Sequence, residues 1–174
     1  VGKSNVILNT ACALADTGKK VLVLDADFGL ANIDVLAGIT VRSTLAHVIR
    51  GERGVSDIIV DGPSGIKIIP ASSGLQEMAD MSISDRERLM ENLSALDWQG
   101  DFMLIDTGAG ISANVVDILL AVPEVVVVTL PEPTAITDAY AVIKVLSQKG
   151  ASARIRLLVN RADSPQEGAD TYDR

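Results

Sequence analysis

Val21-Leu22-Val23-Leu24-Asp25-Ala26-Asp27 is an unbroken apolar run closed by two carboxylates. Apolar residues at successive rather than alternate positions fit a strand buried on both faces, as in a parallel sheet covered by helices. Four further runs repeat the pattern: Ile66–Ile69, Phe102–Ile105, Val125–Val128 and Ile155–Val159. Helical stretches lie between them. Ser4–Asp16 has Val6, Ile7, Ala11 and Leu14 at helical spacing, with Gly18 as its stop. Ser84-Asp85-Arg86-Glu87 reads as a capping box opening a helix through Leu96. Ser112–Val122 and Thr134–Lys149 are two more, the second stopped by Gly150. Strands alternating with helices predict an α/β doubly wound fold, a mostly parallel sheet with helices on both faces. Gly51–Gly65 is the most loop-like stretch, within which Val55–Val60 reads as a short helix or an edge strand. No domain boundary is evident, so residues 1–174 are expected to form one domain.

Composition narrows the function. The 174 residues are 48% hydrophobic, which excludes general disorder. A net charge of −8 makes the chain a poor non-specific binder of nucleic acid or anionic membrane. One cysteine, Cys12, and one histidine, His47, exclude an internal disulfide and a Cys- or His-rich metal site built by this chain alone. No run reaches the roughly 20 apolar residues of a spanning helix, and no signal peptide is present, so a cytoplasmic protein is the expectation. Cys12 reads as a core residue, His47 as a surface or capping residue and Trp98 as packing at a helix end. Asp34 reads as part of a solvated turn, and the acidic tail with Asp163, Glu167, Asp170 and Asp173 as solvated loop.

Four segments can carry chemistry. Val1-Gly2-Lys3-Ser4 is half of a phosphate-binding loop: glycine frees backbone N–H groups, Lys reaches the β/γ-phosphates and a Ser hydroxyl serves Mg²⁺. It opens a helix, whose N-terminus favours an anion. The bland alternative is an exposed Lys before a helix. Asp25 and Asp27 stand at alternate positions of a strand end and so point the same way, towards Mg²⁺ or a water, unless they are simply solvated. Phe102–Ile105 followed by Asp106-Thr107-Gly108 has the form of a Walker B strand: Asp106 holds Mg²⁺ through water and Gly108 lets a backbone N–H approach the γ-phosphate. A glycine turn after a strand is the alternative. Leu157-Leu158-Val159-Asn160-Arg161 ends a strand in an amide able to pair with an adenine edge, although Asn is also a common turn residue.

In this order the four segments resemble the MinD/ParA family of P-loop ATPases with a deviant Walker A motif, Lys-Gly-Gly-Val-Gly-Lys-Ser/Thr. This chain carries the last four positions of that motif. Leu24 to Gly38 resembles the switch I region of the MinD branch. Together with Asp106-Thr107-Gly108-Ala109-Gly110-Ile111-Ser112, Ile69-Pro70-Ala71-Ser72 and Val159-Asn160-Arg161, it is most similar to the branch that regulates flagellar number, the FlhG type.

The resemblance implies a role for each position. Gly2, Lys3, Ser4 and Asn5 belong to the phosphate loop, with Lys3 on the β/γ-phosphates and Ser4 on Mg²⁺. Asp27 orients or activates the attacking water, and Asp25 supports the Mg²⁺ shell or Lys3. Asp106 is the Walker B carboxylate and Gly108 senses the γ-phosphate. Asn160 contacts adenine, with Pro131 and Glu132 near the base or ribose. ATP and Mg²⁺ are the implied cofactors, driving a homodimer reset by hydrolysis. An FlhF-type GTPase, flagellar switch or regulator proteins and the inner membrane are the implied partners, with no direct nucleic-acid binding.

The resemblance places the family's signature Lys, two glycines and first strand ahead of Val1, and a membrane helix after Arg174. The chain is therefore read as cut at both ends and as inactive by itself, with one side of Phe102–Ile105 left unpaired. The rival readings are a MinD division-site or ParA partition ATPase, an iron–sulfur carrier, which needs a Cys pair, and a non-catalytic nucleotide-binding domain.

Overall fold

The computed structural model describes residues 1–71 and 83–173. They group into two compact units, one of Lys3–Gly108 and one of Val1–Gly2 with Ala109–Arg174.

In the unit Lys3–Gly108 the order is α1 (Lys3–Asp16), β1 (Val21–Ala26), α2 (Ile33–Ala37), α3 (Leu45–Ile49), a 3₁₀ turn (Val55–Ile58), β2 (Val60–Asp61), a 3₁₀ turn (Pro63–Gly65), β3 (Lys67–Ile69), α4 (Ile83–Ser94) and β4 (Phe102–Thr107). The four strands form one sheet in the order β2-β3-β1-β4. β1 runs parallel to β3 and β4, and only the two-residue β2 is antiparallel. All six residues of β1 are buried, as an apolar strand inside a parallel sheet must be. Leu8 and Ala11 of α1 pack with Val21, Val23, Ile33, Ile66 and Ile68 into the core of this unit, and Cys12 lies against that cluster. α1 stops where Gly18 takes φ +86°, and the Lys19 N–H turns back to the Leu14 carbonyl.

The register of β1 against β4 is locked at its start. Asp101 Oδ2 accepts from the Lys20 N–H at 2.8 Å, and the Asp101 N–H donates to the Lys20 carbonyl at 2.9 Å. Val21 then faces Phe102, and the ladder runs through Asp25 opposite Asp106 to Ala26 opposite Thr107. Both strands are two residues longer than their apolar runs, so both carboxylates lie within strands rather than beyond them. Among the described residues β4 pairs with β1 on one side, and its Phe102 and Met103 are exposed.

The second unit holds α5 (Ala113–Ala121), β5 (Glu124–Thr129), α6 (Pro133–Gln148), β6 (Arg154–Val159) and α7 (Pro165–Tyr172). β5 and β6 form a two-stranded parallel sheet paired over six residues, Glu124 opposite Arg154 to Thr129 opposite Val159. Val125 and Val127 pack on Ala139 and Leu146 of α6.

The smaller readings divide. Val55–Val60 is neither one helix nor one strand: a 3₁₀ turn takes Val55–Ile58, and Val60 begins the edge strand. His47 is a capping residue, its Nδ1 accepting from the Thr44 N–H at 3.1 Å. The Trp98 ring lies over Gly100, where a Cβ would meet it, and its Nε1 donates to the Phe102 carbonyl. α4 begins at Ile83, which puts Ser84 inside the first turn instead of ahead of it. The Asp85 and Glu87 side chains of the expected capping box, and Ser72, lie outside the described residues. The acidic tail is not solvated loop. It forms α7, because Ser164 Oγ accepts from the Glu167 N–H, Glu167 reaches back to the Asp163 N–H, and Pro165 opens the helix.

Candidate nucleotide site

The unit Lys3–Gly108 brings Lys3, Ser4, Asp25, Asp27, Asp106 and Gly108 to the carboxyl ends of β1 and β4 and the start of α1. That is where ligands bind in sheets of this kind, and a helix start adds positive potential. Lys3 and Ser4 are the first two residues of α1 and have no acidic neighbour in its first turn. Asn5 follows, exposed.

Asp106 is buried in β4. Its Oδ2 is enclosed with no hydrogen-bond partner, and the Ser4 hydroxyl and the Lys3 charge act on the same carboxyl group. Burial pushes the Asp106 carboxyl above the usual carboxylate range; the Ser4 bond and the Lys3 charge oppose the rise, and Asp27 adds to it. A buried, unpartnered carboxylate oxygen is costly, and a hard cation removes the cost. The set Ser4 and Asp106 therefore fits Mg²⁺, which takes one or two protein oxygens and draws its other ligands from water and phosphate. Among the described residues no group of three His, Cys, Asp or Glu could cage a metal by itself.

Asp27 follows β1. Its N–H donates to Asp25, and its Oδ1 accepts from the Leu30 N–H at 3.2 Å. A Cβ on Gly108 would stand 3.2 Å from that same Oδ1, so only glycine leaves the Asp27 carboxylate its present room. Asp25 is buried, and burial raises its pKa from 3.8 to about 6. The Ile33, Asp27 and Asn32 N–H bonds work against that rise, and the Asp106 charge adds to it.

The other unit holds Gly2, Pro131, Glu132 and Asn160. Gly2 has φ +84°, and a Cβ there would come within 2.8 Å of Asn160 Nδ2, so both conformation and space demand glycine. Asn160 follows β6; its Nδ2 donates to the Val1 carbonyl at 3.0 Å and its Oδ1 accepts from the Arg161 N–H. Arg161 takes φ +55°. Pro131 lines an open surface cavity of about 340 Å³ with Ser164, Gln166, Glu167, Asp170 and Thr171; Glu132 and Asn160 are not among its lining residues. Glu132 stands at the start of α6, its carbonyl accepting from the Ile136 N–H.

Two features escape a sequence reading. The Val1–Asn160 bond joins residues 159 positions apart through a backbone carbonyl, which has no sequence signal. The cap of α7 had one, Ser164-Pro165-Gln166-Glu167, hidden because that helix is polar.

A family model described as an AAA domain matches residues 1–157. The chain is 46% identical over 172 residues to the antiactivator FleN of Pseudomonas aeruginosa, covering 99% of this chain and 61% of FleN. It is 39% identical over 181 residues to the flagellum site-determining protein YlxH of Helicobacter pylori, covering all of this chain and 58% of YlxH. The chain thus spans about three fifths of these relatives. Its fold is similar to that of the septum site-determining protein MinD of Pyrococcus horikoshii in complex with Mg-ADP, with a TM-score of 0.81 and 28% identity over 98% of this chain and 72% of that one. The phosphate-loop half, the two aspartate-bearing strands and this pattern of likeness agree: the chain belongs to the AAA-domain family, in its MinD/ParA group of P-loop proteins.

Proposed function

We propose that the protein is a Mg²⁺-dependent ATPase that switches between monomer and ATP-bound homodimer, and that the switch serves flagellar number or placement. The observation that carries the chemistry is Asp106 Oδ2, buried and unpartnered at the carboxyl end of β4. Likeness to FleN and YlxH supports the flagellar assignment over septum placement or plasmid partition, which use the same chemistry. An FlhF-type GTPase, flagellar switch or regulator proteins, and reversible contact with the inner membrane from a cytoplasmic pool belong to the same proposal.

In this mechanism Lys3 places its ammonium on the β/γ-phosphates, supported by the positive start of α1. Ser4 and Asp106 hold Mg²⁺, which supplies charge neutralisation on the phosphates when bound. Asp27 orients the attacking water and takes up its proton at a carboxylate oxygen. Gly108 presents its backbone to the γ-phosphate. Asn160 serves adenine, and Pro131 and Glu132 the base side or ribose. Lys3→Ala in the natural gene product is expected to abolish ATP-dependent dimerisation and weaken ATP binding together. Sedimentation with ATP and Mg²⁺ reads this, and a variant that dimerises like wild type removes Lys3 from the phosphate site.

A further inference from the structure

Asp25 has no free oxygen in this structure. Its Oδ1 accepts from the Asp27 N–H at 3.1 Å, and its Oδ2 accepts from the Asn32 and Ile33 N–H groups, each at 3.1 Å. Those three donors stand at the two ends of one loop. Asp27 opens the loop directly after β1; Asn32 and Ile33 close it where α2 begins. Asn32 occupies the cap position of α2 without a side-chain cap bond of its own, and the carboxylate of the preceding strand satisfies the N–H groups of the cap residue and of the first helical residue, two donors that a helix start leaves open. Both ends of the arrangement are fixed. Asp25 is 1% exposed and paired in register with Asp106, and Ile33 is fully buried in the core around Val21 and Val23. Between them Phe28 and Ala31 are buried, while Leu30 is 75% exposed. Asp27, which lies against Gly108 and is bonded within the loop by the Leu30 N–H, has its own N–H held by the same carboxylate that holds the far end of the loop.

The geometry points to Asp25 as the positioning residue of the hydrolytic site: it clamps both ends of the loop 27–33 and so holds the Asp27 carboxylate where the attacking water is ordered. This rests on the proposed role of Asp27. It assigns Asp25 to the loop instead of to the metal shell or Lys3. Bonds to a carboxylate are the stronger kind, and a buried one that collects three backbone N–H groups has most of its acceptor capacity committed to the loop. Misplacing a catalytic group by about 1 Å is enough to cost on the order of 10²-fold in rate, which is the scale available to a residue that never touches substrate.

The test uses the natural gene product with Asp25→Ala and Asp25→Asn. Asn keeps one acceptor oxygen and the size of the side chain, so it stands in if the alanine variant does not fold, as judged by circular dichroism. The first readout is amide hydrogen exchange without nucleotide. Protection at Asp27, Asn32 and Ile33 is expected to fall at least about tenfold in Asp25→Ala, and at one end of the loop only in Asp25→Asn. The second is the split of the kinetic constants, with kcat expected to fall about 10–100-fold while KM for ATP and the half-saturating Mg²⁺ concentration stay within about threefold. Unchanged exchange at all three amides in a folded variant overturns the clamp. Lost protection with unchanged kcat overturns its link to Asp27. A tenfold rise in half-saturating Mg²⁺ with kcat restored at saturation makes Asp25 a metal-shell residue and overturns the assignment. A wild-type protein that hydrolyses no ATP sinks the functional reading, while the exchange readout still decides the clamp.

Discussion

Asp25 and Asp27 are separated by a single alanine, yet their surroundings assign them different work. Asp25 is enclosed and bonded by three backbone donors; Asp27 is half-buried, bonded through one oxygen and close to a glycine. Of the two, Asp27 is the group able to meet a water. Asp27→Ala in the natural gene product is expected to leave ATP binding and dimerisation largely intact while turnover drops roughly 10²–10⁴-fold, the usual worth of a positioned general base. Steady-state phosphate release beside equilibrium nucleotide binding measures both, and unchanged turnover takes Asp27 out of the mechanism. At this scale the sequence shows which residues carry chemistry but not what each touches. The spacing Asp25-Ala26-Asp27 marks a site. The bonds that distinguish the two aspartates come from backbone N–H groups two, seven and eight residues away, and a backbone donor leaves no mark in the amino-acid string.

The elements were legible where apolar burial builds them and obscure where polar capping does. All five apolar runs became strands, although only β1 is buried at every position and β5 alternates between exposed and buried ones. β1 and β4 take in Asp25 and Asp106, the strand-end carboxylates marked by the sequence, whereas Asp27 lies just beyond its strand. α7 was missed because its residues are mostly polar and its start rests on Ser164. Ser164→Ala is expected to cost about 1 kcal/mol and to fray Pro165–Tyr172, seen as faster amide exchange confined to that helix. Exchange unchanged from wild type would mean that Pro165 and Glu167 suffice as its start.

The pairing of β1 with β4 has its own electrostatic element. The Lys20 N–H and the Lys19 ammonium, 3.6 Å away, hold the Asp101 carboxyl below the usual carboxylate range, the backbone bond contributing most. A carboxyl depressed in the folded state favours folding above its unfolded pKa of 3.8, and that contribution is lost as pH falls through the lower folded value. Asp101→Asn is therefore expected to lower the unfolding temperature at neutral pH and to flatten its decline below about pH 4. Parallel melting curves from pH 2 to 7 for the two proteins would show that Asp101 adds nothing to the β1–β4 start.

For the molecule as a whole, an acidic chain sets one lysine and a helix start beside a buried carboxylate. The net charge is −8, while Lys3 and the start of α1 face Asp106, whose second oxygen is buried without a partner. Such an arrangement is unfavourable to leave empty and favourable to fill with a divalent cation and an anionic phosphate together, so neither ligand is expected to bind as well alone. Among the described residues no helix is long and apolar enough to cross a membrane, which leaves contact with a bilayer to be tested directly. The most direct test of the central claim is phosphate release from ATP by the natural gene product, titrated with Mg²⁺ and repeated in excess chelator. The account predicts turnover that rises and saturates with Mg²⁺, vanishes in chelator and is lost in Asp106→Asn; turnover indifferent to Mg²⁺, or a wild-type protein that neither binds nor hydrolyses ATP at saturating Mg²⁺, would contradict it.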